Sequence, residues 1–95
     1  MQLGKIVGTV VATQKDSKLE GLKLHIVKSL DLDLNEKPNI VVAVDSVGAG
    51  IGEIVLYCSG SSARQTDFTN NKPVDTTIMA IVDQLSVSGE IRYKK

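Results

Sequence analysis

Val44-Asp45-Ser46-Val47-Gly48-Ala49-Gly50-Ile51-Gly52-Glu53-Ile54-Val55-Leu56 decides how this chain is read, and Gly60-Ser61-Ser62-Ala63-Arg64 follows shortly after it. Three glycines in five positions, set between two Val/Ile runs, predict a strand that ends, a turn whose backbone takes conformations that side chains obstruct, and a second strand. A turn of this composition suits close approach, whether of an anion, of the barrel's own backbone or of another subunit. The neighbouring segments decide between these.

Upstream, Ile40-Val41-Val42-Ala43-Val44 is an unbroken apolar run of strand length, which predicts burial on both sides. That is easiest if one face lines a barrel and the other meets a partner. Asp31 to Asn39 is acidic and polar and contains Pro38, so it is expected to be a loop. Before it, Leu22, Leu24, Ile26 and Leu30 keep a period of two, which makes a strand and leaves His25 on the more polar, solvent-facing parity. Leu3 to Thr13 is a further strand, in which Gly4 and Gly8 would let a neighbour come close on one face. The polar stretch Lys15 to Gly21 joins the two.

Downstream, Ile54, Leu56 and Cys58 alternate with Glu53, Val55 and Tyr57, so a strand carries Cys58 as a small core hydrophobe. Ser61 to Asp67 suits a short helix or helical turn with a serine cap, and Asn70 to Pro73 a loop. Thr76 to Leu85 fits a helix behind an Asp75 cap, but its many β-branched residues favour a fifth strand. Residues 86–95 form a short C-terminal extension with a turn at Gly89 and the alternating piece Ile91-Arg92-Tyr93. The order of elements predicts a mainly β fold: a single domain over residues 1–95, a small five-stranded OB-like β-barrel with one short helix or helical turn.

Composition narrows the function. Eleven basic and eleven acidic residues cancel, and no block of like charge would pull on a polyanion or an anionic membrane. A chain of this length hides only about 60 to 65% of the surface that its unfolded form exposes. Without Trp, and with only Tyr57, Phe68 and Tyr93 as aromatics, the core is expected to be built of Val, Ile and Leu and to lean on oligomer contacts. Cys58 has no partner for a disulfide, and no run of about 18 apolar residues or signal-like start is present, so a soluble cytoplasmic protein is expected.

The same residues argue against chemistry. Gly48-Ala49-Gly50-Ile51-Gly52 lacks both the glycine spacing of a dinucleotide loop and the Gly-Lys-Ser/Thr of a P-loop, and it leads into a strand. Asp45 and Glu53 flank the turn as an acid/base pair would, yet carboxylates so placed commonly accept freed backbone N–H groups. Asp75 and Asp83 invite the same comparison. Ser61 and Ser62 have no histidine near in sequence to activate them, and Arg64 suits a carboxylate or carbonyl, within the chain or across a subunit boundary. No cofactor or metal site is expected. The competing reading is an OB module that binds single-stranded nucleic acid or another small ligand. Three scattered aromatics and zero net charge give such binding neither a stacking platform nor a basic groove.

The chain resembles the pentameric vertex proteins of bacterial microcompartment shells, the EutN/CcmL type. The resemblance is carried by Gly8-Thr9-Val10-Val11-Ala12-Thr13, Leu19-Glu20-Gly21-Leu22-Lys23-Leu24, the run from Val42 to Leu56, Ser59-Gly60-Ser61-Ser62-Ala63-Arg64, Pro73-Val74-Asp75 and Ala80-Ile81-Val82-Asp83. It implies an OB-like barrel, no catalysis, and a homo-oligomeric ring at the corners of a polyhedral shell in the cytoplasm. That ring is a pentamer in the family, with a hexamer as the alternative that local sequence leaves open. Hexameric shell proteins are the implied partners, with no nucleic acid and no membrane; Lys15 to Gly21 is a candidate loop for meeting them. The structural turn and subunit interface are expected at Asp45, Gly48, Ala49, Gly50, Gly52, Glu53, Ser61, Ser62, Ala63 and Arg64.

Overall fold

A computed structural model describes all residues from Met1 to Lys95. Seven strands run in chain order: β1 (Gln2–Val10), β2 (Leu24–Leu30), β3 (Glu36–Asp45), β4 (Ile54–Ser59), β5 (Thr76–Ile81), β6 (Gln84–Val87) and β7 (Glu90–Lys94). The first five close into a barrel in the order β1-β2-β3-β5-β4, and β6 with β7 forms a separate two-stranded sheet. Every barrel pairing is antiparallel except β3 with β5, where Val44 and Asp45 face Thr77 and Ile78 in parallel. Two single turns of 3-10 helix, Ser17–Leu19 and Gly60–Arg64, complete the elements.

The barrel interior is narrow and differs from the expected one. The central cluster is Ile6, Val27, Ala43, Ala49, Val55, Tyr57 and Ile78, with a tyrosine among its members, and Leu30 is the one buried leucine of the chain. On β2 the inward parity is His25, Val27 and Ser29, all buried, while Leu24 and Ile26 stand half-buried outside. The reading of His25 as solvent-facing is thus overturned. Its parity was more polar, but each side chain finds a partner inside: His25 Nε2 lies 3.0 Å from Asp45 Oδ2, and Ser29 Oγ lies 2.7 Å from Tyr57 OH, while His25 Nδ1 is buried without one. Buried polar groups persist where they are hydrogen-bonded. On β4 the central cluster likewise takes Val55 and Tyr57 rather than the Ile54, Leu56, Cys58 parity, although Ile54 and Cys58 are themselves buried.

Tyr57 explains Gly4. A Cβ built on Gly4 would stand 2.5 Å from Val27 Cγ1 and 2.8 Å from Tyr57 Cε1, so only glycine admits the ring there. Tyr57 OH then donates to Gln2 Oε1 at 2.8 Å, and with its own proton so used it accepts from Ser29. Gly8 does not share this face as the spacing of four implied. The β1–β2 register shifts between Ile6 and Gly8, and the bulge at Val7 turns Gly8 outward opposite Ile26.

Residues 31–39 are not wholly a loop, because β3 begins at Glu36 and runs through Pro38. The proline sits where the β2–β3 register shifts, between the pairs Lys28 with Ile40 and Leu30 with Glu36. A bulge is where a strand tolerates the missing N–H. The fifth strand is present but ends at Ile81, and Gln84 starts another. Ser88 (φ 52°) and Gly89 (φ 80°) then supply the two left-handed positions of a tight hairpin turn.

Candidate functional site

The turn after β3 folds over one end of the barrel. Ala49 is 3% exposed and belongs to the core, so the turn is a plug rather than a free loop. Its backbone is stitched to β1 and β5: Gly52 N–H donates to Ile6 O at 2.8 Å, Ile6 N–H to Glu53 O at 3.0 Å, and Ser46 Oγ–H to Ile78 O at 2.6 Å.

Both flanking carboxylates are spent on this turn. Asp45 Oδ1 accepts the N–H groups of Val47 and Gly48, each at 2.9 Å, while Oδ2 meets His25. Burial opposes ionisation of Asp45, but the N–H bonds from Val47, Ala49 and Gly48 together with His25 outweigh it and hold the carboxyl below its ordinary range. Glu53 Oε1 accepts from Gly50 N–H at 2.7 Å, and Oε2 pairs with the Lys95 ammonium. The bond from Lys95 and that from Gly50 lower the Glu53 carboxyl, and the same contact raises Lys95.

The glycines act through backbone angle. Gly48 (φ 76°) and Gly52 (φ 91°) lie in the left-handed region with open space where a Cβ would stand, whereas Gly50 lies outside it and faces only Glu53 Oε1 at 3.5 Å. Within one chain, nothing lies within 4 Å of where a Cβ on Gly48 or Gly52 would stand.

The second expected segment lies on the outer wall of the barrel. Residues Gly60–Arg64 form the 3-10 turn, so Ser61 and Ser62 lie inside it rather than at its cap position, which Ser59 holds without a side-chain bond. Ala63 is fully buried and its carbonyl accepts from Thr77 Oγ1 at 2.7 Å; Arg64 Nη1 donates to Val74 O at 3.0 Å. Ser61 and Ser62 are exposed. The two segments therefore do not converge. They are pinned to adjacent residues of β5, Ile78 from the barrel end and Thr77 from outside.

The residues missed from sequence are His25, Ser29 and Tyr57. Their signal was the alternation of His25, Val27 and Ser29 on one side of β2, which reads as polar unless each member's partner is known. As chemistry the His25–Asp45 pair is sealed, since the two side chains are 2% and 1% exposed. Three open depressions dent the surface, the largest about 440 Å³ along Gln2, Ser29, Lys37 and Asn39, and none is lined by Asp45, Glu53 or Arg64. No three His, Cys, Asp or Glu side chains gather as metal ligands would.

Outside the barrel lies an apolar face. Cross-strand neighbours Gly8, Ile26 and Val42 run over β1, β2 and β3, with Ile40 beside them; Ile40 is 61% and Val42 51% exposed. Along β2 and β3 the chain thus places His25 and Ser29 inside and Ile26, Ile40 and Val42 outside.

Comparison with known proteins gives this arrangement a context. The family described as "Ethanolamine utilisation protein EutN/carboxysome" matches residues 1–83. The carboxysome shell vertex protein CcmL of a Nostoc species is 44% identical over 96 residues, which cover 100% of this chain and 95% of that protein. Its solved structure superposes with a TM-score of 0.96, covering 100% of both chains. The microcompartment shell vertex protein PduN of Salmonella typhimurium is 47% identical over 90 residues, 90% of this chain and 99% of its own. The structure of GrpN from Rhodospirillum rubrum, described as a pentameric microcompartment shell protein, matches at 44% identity with a TM-score of 0.84, covering 92% of this chain and 99% of GrpN. In sequence and in barrel topology alike, this chain belongs to the EutN/CcmL family.

Proposed function

We propose that this protein is a structural component of a bacterial microcompartment shell, in which a ring of five copies caps each vertex. The observation that carries the reading is the apolar outer face of β1, β2 and β3, on a family member whose β2 turns His25 and Ser29 inward. Exposed isoleucine and valine on a sheet face lower the free energy when covered, by roughly 25 cal/mol per Å² of apolar surface. A closed ring covers them head to tail, with one surface of each subunit against a different surface of the next. The role at the vertex follows from geometry: a layer of six-sided tiles stays flat, and five-sided units inserted into it force closure.

The protein acts without catalysis in this reading, which is supported by Asp45, Glu53, His25 and Arg64 being committed to its own backbone and to each other. The turn from Asp45 to Glu53 and the segment Ser61 to Arg64 hold the barrel edges in the shape that the subunit contact requires. Hexameric tiles of the same shell are met through exposed loops such as Lys15 to Gly21. Nucleic acid is not a ligand in this reading, since Tyr57 is buried and Phe68 is the one largely exposed aromatic ring.

Native mass spectrometry of Gly50→Val and Arg64→Glu, made separately, tests the assignment of the turn and the segment: at least one variant is expected to weaken the ring, and parental assembly by both contradicts it. Reversing the charges of Lys15, Lys18 and Glu20 tests the tile contact, with defective shell closure expected and normal closure contradicting it. A labelled single-stranded oligonucleotide is expected to show no binding at physiological salt.

A further inference from the structure

β3 is paired with β2 from Glu36 to Val44, but with β5 only at Val44 and Asp45, so most of its second edge has no strand beside it. The register shows which backbone groups that leaves. Asp45 N–H donates to Lys23 O at 2.9 Å, and the pairs His25 with Ala43 and Val27 with Val41 follow at intervals of two. In an antiparallel ladder hydrogen-bonded and non-bonded pairs alternate, so Val41, Ala43 and Asp45 turn their N–H and C=O toward β2, while Ile40, Val42 and Val44 turn theirs the other way. Val44 meets β5 there. For Ile40 and Val42 the chain supplies no partner, since no bond outside the ladders reaches them. The segment that would carry β5 back alongside them is bound elsewhere: Val74 N–H donates to Lys72 O, Val74 O accepts from Arg64, and Asp75 O accepts from Gly60 N–H.

We propose that this bare edge of β3, at Ile40 and Val42, is completed by a strand from the neighbouring copy in the ring, whose backbone bonds to both residues. An unpaired edge that carries exposed apolar side chains is a template for strand addition, and Ile40 and Val42 are both exposed. Beside the edge lies a depression of about 160 Å³, lined in part by Leu24, Val42, Val44, Pro73 and Val74. An added strand turns alternate side chains toward it, so backbone bonds give affinity and the depression gives selectivity. Two observations favour a second copy as the occupant. The chain carries unpaired strand edges elsewhere, because β6 and β7 form a two-stranded sheet and each keeps one edge free; donor and acceptor are then different surfaces, as a head-to-tail ring requires. The edge is also short. Pro38, with no N–H to give, stands two residues before Ile40, and β5 takes over at Val44, so one brief strand fits and open-ended stacking does not. The proposal rests on the ring reading and names the backbone groups that hold the ring together.

Residue-resolved amide hydrogen exchange on the full-length, unmodified protein at a concentration where it is assembled tests this. The Ile40 and Val42 amides are expected to exchange at least about 100-fold more slowly than in an unstructured chain, as Val41 and Ala43 do through their bonds to β2. Rates near those of an unstructured chain at Ile40 and Val42, with Val41 and Ala43 slow and a five-fold native mass, mean that the edge stays bare in the ring; they overturn the proposal and leave the ring reading intact. A monomeric native mass fails the ring reading itself. Ile40→Pro beside Ile40→Ala separates backbone from side chain, because both remove the isoleucine and only proline removes the outward N–H. Subunit exchange between labelled rings should be roughly tenfold faster for Ile40→Pro than for Ile40→Ala, as the loss of one hydrogen bond would give, and equal rates overturn the proposal. Should Ile40→Pro fail to fold, the exchange rates of the parent decide alone.

Discussion

Gly4 is the residue that most constrains the interior. Tyr57 lies against it, so Gly4→Ala should cost about 1 to 3 kcal/mol through overpacking, read as a lower midpoint in urea denaturation. The turn glycines differ from one another. Gly52→Ala forces a side chain into φ 91° and should cost at least about 1 kcal/mol, while Gly50→Ala should stay within about 0.5 kcal/mol. Asp45 sets the acid limit. Its folded carboxyl titrates below the ordinary value of 3.8, so its contribution is complete above about pH 4 and is lost as the pH falls through the folded value. Asp45→Asn should therefore lose about 1.5 to 3 kcal/mol at neutral pH and show a flatter decline in acid, checked by denaturation at several pH values. The use of the two carboxylates as acceptors for the turn was legible, because a glycine turn frees N–H groups that an adjacent Asp or Glu can reach. The role of His25 was not, because its acceptor lies twenty residues away on the neighbouring strand β3.

Among the elements, the strands and their order were readable from Val/Ile runs separated by Gly, Pro and polar stretches, and the tight turn at Ser88-Gly89 from its glycine. Facing was not. On β2 the apolar parity points outward and the polar one inward, the reverse of what a lone globular domain would show, and the bulge at Val7 exchanges faces within β1. Bulges leave no fixed spacing in a sequence, which is also why Pro38 hid the start of β3. The inverted facing makes a separable prediction. Val42→Asp should leave the dissociated barrel within about 0.5 kcal/mol of the parent, since the residue is 51% exposed, yet should prevent assembly. Chemical denaturation of dilute protein and size-exclusion chromatography at high concentration would separate the two effects. A barrel that unfolds with the substitution would place Val42 in the core and contradict the facing.

For the whole molecule, the long glycine motif followed by Gly-Ser-Ser-Ala-Arg carried the family, while the ring did not follow from any local feature. The number of subunits depends on the angle between two surfaces, and that angle is spread over the barrel's outer wall rather than written at one position. The account nevertheless depends on it, since only a five-sided unit supplies the missing corner of a six-sided lattice. Native mass spectrometry of the intact, unmodified protein tests this most directly. A predominant species of five times the 10.2 kDa chain mass is predicted, and a single chain that persists at high concentration would contradict it.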